Sequence, residues 1–222
     1  MDKCIIDLYD LNNECSGVFV QIGAGAGNLD KRAKFRDGFT EFVKSMPRQK
    51  LKKVVLVEPN PINIPLLKEC WKGYHECYLY EVGIVPKTYN NKILELYYCP
   101  LDAPHYQVAS VKKSHVQHHY GEDCEIHKFD IPVITIEQFI RDAIGTDKIE
   151  LLALDIEGVD AEILLELDLQ TLNVKYLSFE HVHLCENKET VFHHLESNGF
   201  EFIGLGVDHN GCDCLFINKR FC

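Results

Sequence analysis

One short stretch constrains the fold more than any other: Val18-Phe19-Val20-Gln21-Ile22-Gly23-Ala24-Gly25-Ala26-Gly27-Asn28. An apolar run of strand character breaks into three glycines at alternate positions. A backbone that turns sharply and lets another molecule come close needs residues without a Cβ, which accept positive φ. At the carboxyl edge of a parallel sheet, this is where an α/β protein holds a nucleotide-like ligand. A plain strand-to-helix turn that uses glycine for geometry alone fits the stretch as well, so the rest of the chain has to separate the two.

The rest of the chain alternates. Residues 18–22 predict a buried strand, and Phe39, Phe42, Val43 and Met46 recur at helical spacing, with Pro47 as the stop. Residues 53–57 predict a second strand, and a continuous apolar run of this kind suits burial on both faces. Residues 64–71 predict a helix that tolerates Pro65 in its first turn, and 77–81 a third short strand. Thr135 followed by Gln138 is a capping-box signature ahead of an apolar face of Ile136, Phe139 and Ile140. A strand over 150–156, a helix over 161–167, a strand over 175–180 and a helix over 187–198 follow, the last stopped by Gly199. Residues 200–205 and 214–218 flank an Asp-His-Asn-Gly turn and predict a terminal hairpin. Residues 1–16 predict a short leading helix or an irregular arm.

Residues 84–130 stand apart. Residues 93–98 have strand character, but Pro86, Pro100, Pro104 and scattered histidines follow no helical or repeating spacing. The segment predicts a substrate-side insertion with mobile loops. Around it, the alternation predicts a single domain over 1–222. Its fold class is α/β, a Rossmann-like open sheet, mostly parallel, with an antiparallel terminal hairpin strand. That tail discriminates, because an ordinary dinucleotide-binding fold continues its parallel alternation, whereas a class I methyltransferase ends on an antiparallel hairpin at the sheet edge.

Composition bounds the setting. A chain of 222 residues can bury a sizeable core as one domain. No run approaches the ~18 apolar residues of a membrane span, and the first residues lack the basic region and apolar core of a secretory signal. A soluble cytoplasmic protein without a membrane partner is expected. There the ten cysteines are read as reduced thiols. Cys212 and Cys214 are too close for a zinc framework, and Cys70 and Cys77 lack a matching second pair. The net charge of −11 disfavours a nucleic-acid partner, whose phosphates need clustered lysine and arginine. The one basic cluster, residues 44–53, is of the kind that solvates a helix and its loop.

Glu58 gives the glycines a meaning. Nicotinamide enzymes favour Gly-x-Gly-x-x-Gly with an acid about 20 residues later. Here the third glycine comes one residue early, Asn28 stands at the expected glycine position, and Glu58 lies 35 residues past Gly23. A carboxylate ending the second strand can accept two strong hydrogen bonds from vicinal ribose hydroxyls; the bland alternative is a solvated strand-end acid. Glycine loop, strand-two acid and terminal hairpin together resemble the class I methyltransferases that use S-adenosyl-L-methionine. Three stretches narrow the resemblance to FkbM-type methyltransferases: Val57-Glu58-Pro59-Asn60-Pro61, Pro132-Val133-Ile134-Thr135-Ile136-Glu137 and Leu154-Asp155-Ile156-Glu157-Gly158-Val159-Asp160-Ala161. The resemblance covers about residues 19–180, and its last stretch is the most specific. It departs at Gln21, where methyltransferases commonly carry an acid, and mildly at Glu137, where aspartate is usual. Gln21 can bond to the loop backbone or to the cofactor's amino group, but it brings no charge.

The resemblance implies a methyltransferase whose cofactor is S-adenosyl-L-methionine. Gln21, Gly23, Gly25 and Gly27 are then expected around the methionine moiety and Glu58 with Pro59 at the ribose. The backbone around Val82, Gly83 and Ile84 is expected at the adenine edge, and Asp155 facing the methyl. Methyl transfer needs alignment of the acceptor oxygen and removal of its proton, so Asp155 is a candidate to position the acceptor, take the proton or bind a metal. Glu157 either joins it or starts the next helix, whose dipole favours an acid. At the fifth strand's end, Glu180 is followed by His181 and His183, which alternate onto one side. Neutral imidazole serves as base or metal ligand. Asp155, Glu180 and one histidine are thus a candidate divalent-metal set, or else a strand-end acid beside solvent-facing histidines; the sequence leaves the metal open. His115 and His119 are spaced i, i+4 without a third ligand, and with His105 and His127 they read as polar loop surface near the acceptor pocket. The expected reaction is O-methylation of a hydroxyl on a small molecule or sugar, with Asp155, Glu180 and His181 as catalytic residues. The alternatives are a methyltransferase-like binding module and a nicotinamide-dependent oxidoreductase.

Overall fold

The computed structural model describes residues 5–9, 17–29, 37–103, 108–156, 158–208 and 211–222. In chain order it builds α1 (Ile5–Leu8), β1 (Gly17–Ile22), α2 (Gly38–Ser45), β2 (Leu51–Val57), α3 (Ile64–Cys70) and β3 (Cys77–Tyr80). Next come β4 (Gly83–Val85), β5 (Ile93–Tyr98), α4 (Lys113–Tyr120), β6 (His127–Thr135) and α5 (Ile136–Phe139). The chain ends with β7 (Ile149–Leu154), α6 (Asp160–Glu166), β8 (Val174–Glu180), α7 (Lys188–Ser197), β9 (Phe200–Leu205) and β10 (Asp213–Asn218).

Seven strands form one sheet in the order β3-β2-β1-β7-β8-β10-β9. Pairing is parallel from β3 to β8, and β10 runs antiparallel to both of its neighbours. This is the mostly parallel open sheet with a reversed hairpin strand that the alternation predicts. Strand order reverses beside β1, which places a crevice at the carboxyl ends of β1 and β7.

β1 and β7 are buried at every position because helices cover both faces of the sheet. Alternate side chains divide between two cores. Val20, Ile22, Val57, Leu152 and Leu154 pack on one side with Phe139, Ile163 and Leu195. Phe19, Val54, Leu56, Ala153, Tyr176 and Leu215 pack on the other, against Phe39, Phe42 and Val43 of α2 and Leu67 of α3. Full burial of one such side chain contributes about 1.5–3 kcal/mol. The predicted helix cap is present, with the Gln138 amide donating to Thr135 Oγ1 at 3.2 Å. Gly199 ends α7 with φ of 85°. Of residues 1–16, α1 and Tyr9 are described; Tyr9 packs edge-on against Phe19 and Phe42.

The segment 84–130 holds more regular structure than its sequence suggests. β4, β5 and β6 form a second sheet in the order β4-β6-β5 around Val85, Leu96, Ile131 and Val133. Residues 113–120, where the spacing predicts no helix, are α4. Val116 is the one buried residue of α4, so the helix has no apolar stripe for a sequence reading to detect. Among the described residues no helix is long and apolar enough to cross a membrane.

Candidate functional site

The alternation that builds the α2-side core also aims a row of polar side chains. A residue two positions past an inward-facing one points the same way. Glu58 thus follows Leu56, Asp155 follows Ala153, and Glu180 follows Ser178, three residues at one level across β2, β7 and β8. Asp213 stands opposite Glu180 in the β8–β10 ladder. Gln21, level with Leu56 and Ala153, lies one step below the row. With strands about 4.8 Å apart, the row spans ~19 Å.

The glycine loop interrupts that row at β1. The amides of Gly23 and Ala24 both donate to the Val57 carbonyl at 3.0 Å, and the Asp155 amide donates to Ile22 O at 2.9 Å. The loop is therefore fastened to β2 on one side and to the end of β7 on the other. Gly23 has φ of 86°, and a Cβ there would overlap the Asp155 carbonyl oxygen. At Gly27 (φ 60°) a Cβ would stand 2.9 Å from Cys70 Sγ on α3. Gly25 differs: at φ 53° its Cβ would meet nothing within 4 Å. Two of the glycines are needed for packing, and the third opens onto free space.

Glu58 ties the loop to the Pro-Asn-Pro turn. Its Oε2 accepts from the Gly25 amide at 2.7 Å and its Oε1 from the Asn60 amide at 2.8 Å. Burial pushes its carboxyl up to about 7, against the opposing pull of the Asn60, Gly25 and Asn63 hydrogen bonds. With the Asn63 side chain as third donor, one of the four lone-pair sites of the carboxylate is left for a ligand hydroxyl.

The carboxyl that position 21 lacks is supplied from elsewhere in the chain. Gln21 Nε2 donates to Asp37 Oδ1 at 2.9 Å. The Thr40 hydroxyl donates to the other oxygen of Asp37. Burial raises the Asp37 carboxyl, and its hydrogen bonds to Thr40 and Gln21 oppose that rise. Asp208, in the β9–β10 connection, accepts from the Gly38 amide at 2.6 Å.

These residues share one cleft of about 320 Å³. Of the residues singled out from the sequence, Gln21, Gly23, Gly25, Gly27, Glu58, Pro59, Gly83, Asp155 and Glu180 all line it. His181 is not in the lining. Its amide donates to Cys212 O, and its Nδ1 lies 3.1 Å from Lys188 Nζ. Burial, and then the Lys188 charge, hold its imidazole below the ordinary histidine range. Glu157 and His105 lie outside the described residues, as does the side chain of His183. His119 reaches the cleft from α4, and Leu94, Leu96 and Ile131 of the second sheet form an apolar wall. Sequence reasoning missed Asp37, Asp208 and Asp213, which carry no local motif. Asn60 and Asn63 sit within or just past the Glu58-Pro59-Asn60-Pro61 signature and were open to detection.

The model of the methyltransferase FkbM domain matches residues 21–202. The chain belongs to this family. With the strand order above, it is a class I methyltransferase fold dependent on S-adenosyl-L-methionine. Several solved structures are similar in fold. The fibrillarin pre-rRNA processing protein of Methanococcus jannaschii has a TM-score of 0.45 at 11% identity, over 93% of this chain and 68% of that one. Ribosomal protein L11 methylase of Lactobacillus delbrueckii subsp. bulgaricus has 0.43 at 11%, over 91% and 70%. Aeropyrum pernix fibrillarin, in complex with natively bound S-adenosyl-L-methionine, has 0.44 at 10%, over 92% and 66%. No curated protein matches the chain.

The residues present fit that cofactor. Gly25 leaves room that any Cβ would fill. Gln21 Oε1 and Asn60 Nδ2, both buried on cleft residues, have no hydrogen-bond partner within the protein. An acceptor and a donor of this kind suit a ligand that carries both ammonium and ring-nitrogen groups. Among the described residues no group of three or more His, Cys, Asp or Glu side chains is arranged to hold a metal ion.

Proposed function

We propose that this FkbM methyltransferase O-methylates a hydroxyl on a small molecule or sugar, acting as one cytoplasmic domain whose segment 84–130 builds the acceptor side. The observation that carries the reading is the row Glu58, Asp155, Glu180 flanking an open glycine loop in a single cleft. The cofactor, when bound, supplies a methyl group on a cationic sulfur that is primed for displacement. Glu58 would accept a ribose hydroxyl with the lone pair that Gly25, Asn60 and Asn63 leave. Pro59 would pack beside the ribose, and the backbone of Val82, Gly83 and Ile84, which also lines the cleft, would border the adenine.

Asp155 and Glu180 stand one strand apart, about 5 Å, at the carboxyl end of the sheet. Asp155 orients the acceptor hydroxyl, and Glu180 takes its proton as the oxygen attacks. His181 lies outside the lining, with its imidazole held below the ordinary histidine range by burial and then by Lys188, and its amide on Cys212 O fixes the end of β8. The apolar wall of Leu94, Leu96 and Ile131 excludes water from the reacting oxygen.

Calorimetric titration with S-adenosylhomocysteine tests the first half of the reading, and no heat of binding at millimolar ligand refutes it. Methyl transfer across a panel of hydroxylated acceptors, read by mass spectrometry, tests the second. Binding without transfer to any acceptor would mark a binding module instead.

A further inference from the structure

Glu58 leaves one acceptor position where a ribose brings two donors. Gly25, Asn60 and Asn63 hold three of the four lone-pair sites of the carboxylate. The second of two vicinal hydroxyls therefore needs an acceptor that Glu58 does not supply.

Asn63 has one. It is 2% exposed and lines the cleft, and its Oδ1 has no hydrogen-bond partner within the protein. Its Nδ2 is already committed. An ionised carboxylate can only accept, so the bond between the Asn63 and Glu58 side chains comes from the amide nitrogen. One carboxamide holds its oxygen beside its nitrogen, which leaves the idle acceptor next to the Glu58 carboxyl.

Local structure withholds this oxygen from its ordinary use. Asn63 stands at the cap of α3, where asparagine is favoured because its oxygen accepts an amide of the first turn. Here the side chain makes no capping bond. Pro65 lacks one of the two amides such a cap serves, and the other, on Leu66, is not taken either. Asn60 does the opposite. Its oxygen closes the turn by accepting from the Ile62 amide at 3.0 Å, and its nitrogen is the atom left over. The two asparagines thus leave one donor and one acceptor on residues that line the cleft. A buried acceptor without a donor is destabilising, and a ligand hydroxyl relieves it.

We infer that Asn63 is a second ribose-binding residue, whose Oδ1 accepts one of the vicinal hydroxyls while Glu58 accepts the other. The diol is then read by two side chains of one segment rather than by one carboxylate. A ligand that lacks either hydroxyl strands a buried acceptor, so the site selects for both. The inference rests on the methyltransferase reading proposed above.

The test titrates S-adenosylhomocysteine and its 2′-deoxy and 3′-deoxy forms into wild type, Asn63→Ala and Glu58→Gln by calorimetry. Wild type is expected to lose at least about tenfold in affinity for each missing hydroxyl. Asn63→Ala is expected to lose less than about twofold for one of them and the full factor for the other. Any loss of sensitivity in Glu58→Gln is expected to fall on that other hydroxyl. Asn63→Ser, whose shorter side chain suits the cap of α3, gives the same readout if Asn63→Ala fails to fold. A purely structural Asn63 would weaken all three ligands alike, and an adenine amine on Asn63 would leave both hydroxyls uncoupled from it; either result overturns the inference. So does a loss of sensitivity to the same hydroxyl in both variants, or to both hydroxyls in Asn63→Ala. If wild type binds no S-adenosylhomocysteine, the methyltransferase reading falls and this one with it, whereas binding without these couplings sinks only this one.

Discussion

Glu58→Gln separates the two tasks of the buried carboxylate. In the folded protein its pKa lies at about 7, against 4.5 for an ordinary glutamate. Between those values the folded state keeps a proton that the unfolded chain has released, so stability falls as pH rises. The contribution is fully present below about 4.5 and is lost through about 7, a change of about 3 kcal/mol. Glutamine cannot titrate, so the variant lacks this slope. It carries a fixed cost instead: of the amides of Gly25 and Asn60, each now on its own carboxylate oxygen, one would face an NH2 group. A buried donor stranded in that way costs about 1–3 kcal/mol at every pH. Urea unfolding at pH steps from 5 to 8 should therefore show wild type well ahead at low pH and the two proteins converging as pH rises. Asp208 titrates in the same direction in both proteins and cancels in the difference. Parallel curves would refute the reasoning. In wild type alone, affinity for S-adenosylhomocysteine should also rise with pH through about 7, as the better acceptor forms.

The glycines give a matched pair. Gly23→Ala combines positive φ with overlap on the Asp155 carbonyl and should cost about 3 kcal/mol or more, seen as a large drop in Tm. Gly25→Ala meets no neighbour, so it should cost only the left-handed strain of about 1–2 kcal/mol. It should nevertheless weaken S-adenosylhomocysteine by about tenfold or more by filling the cradle, and unchanged affinity would remove Gly25 from the site. Thr135→Ala deletes the cap on Gln138 and should cost about 1 kcal/mol in denaturant unfolding without changing ligand affinity.

What could be read from the sequence follows from how far apart the interacting residues lie. β1 and β7 announce themselves because strands covered on both faces are apolar without interruption. The helix over Gly38–Ser45 shows through Phe39, Phe42 and Val43, each buried by its own spacing. The Gly-x-Gly-x-Gly loop and the acid ending β2 are local patterns, and both line the cleft. The second sheet is a different matter, since Gly83–Val85 pairs with Val133–Thr135 across nearly fifty residues that carry no shared pattern. The contacts of Asp37 and Asp208 were invisible for the same reason. Asp37 reaches Gln21 across sixteen residues, and Asp208 reaches Gly38 across 170. The missing carboxyl at Gln21 therefore looks like a defect in one dimension and is replaced in three by Asp37.

The row at the strand ends has a consequence for how such an enzyme fails. The side of the sheet that Glu58, Asp155 and Glu180 occupy is set by the parity of their strands, fixed by the burial of Leu56, Ala153 and Ser178 two residues earlier. A slip of one residue in β7 would turn Asp155 to the opposite side of the sheet. Such a molecule would keep its helices and strands, give an ordinary circular dichroism spectrum and be inert. Hydrophobic packing is the gunsight of this active site, and a core lesion far from the cofactor can disarm it without unfolding it.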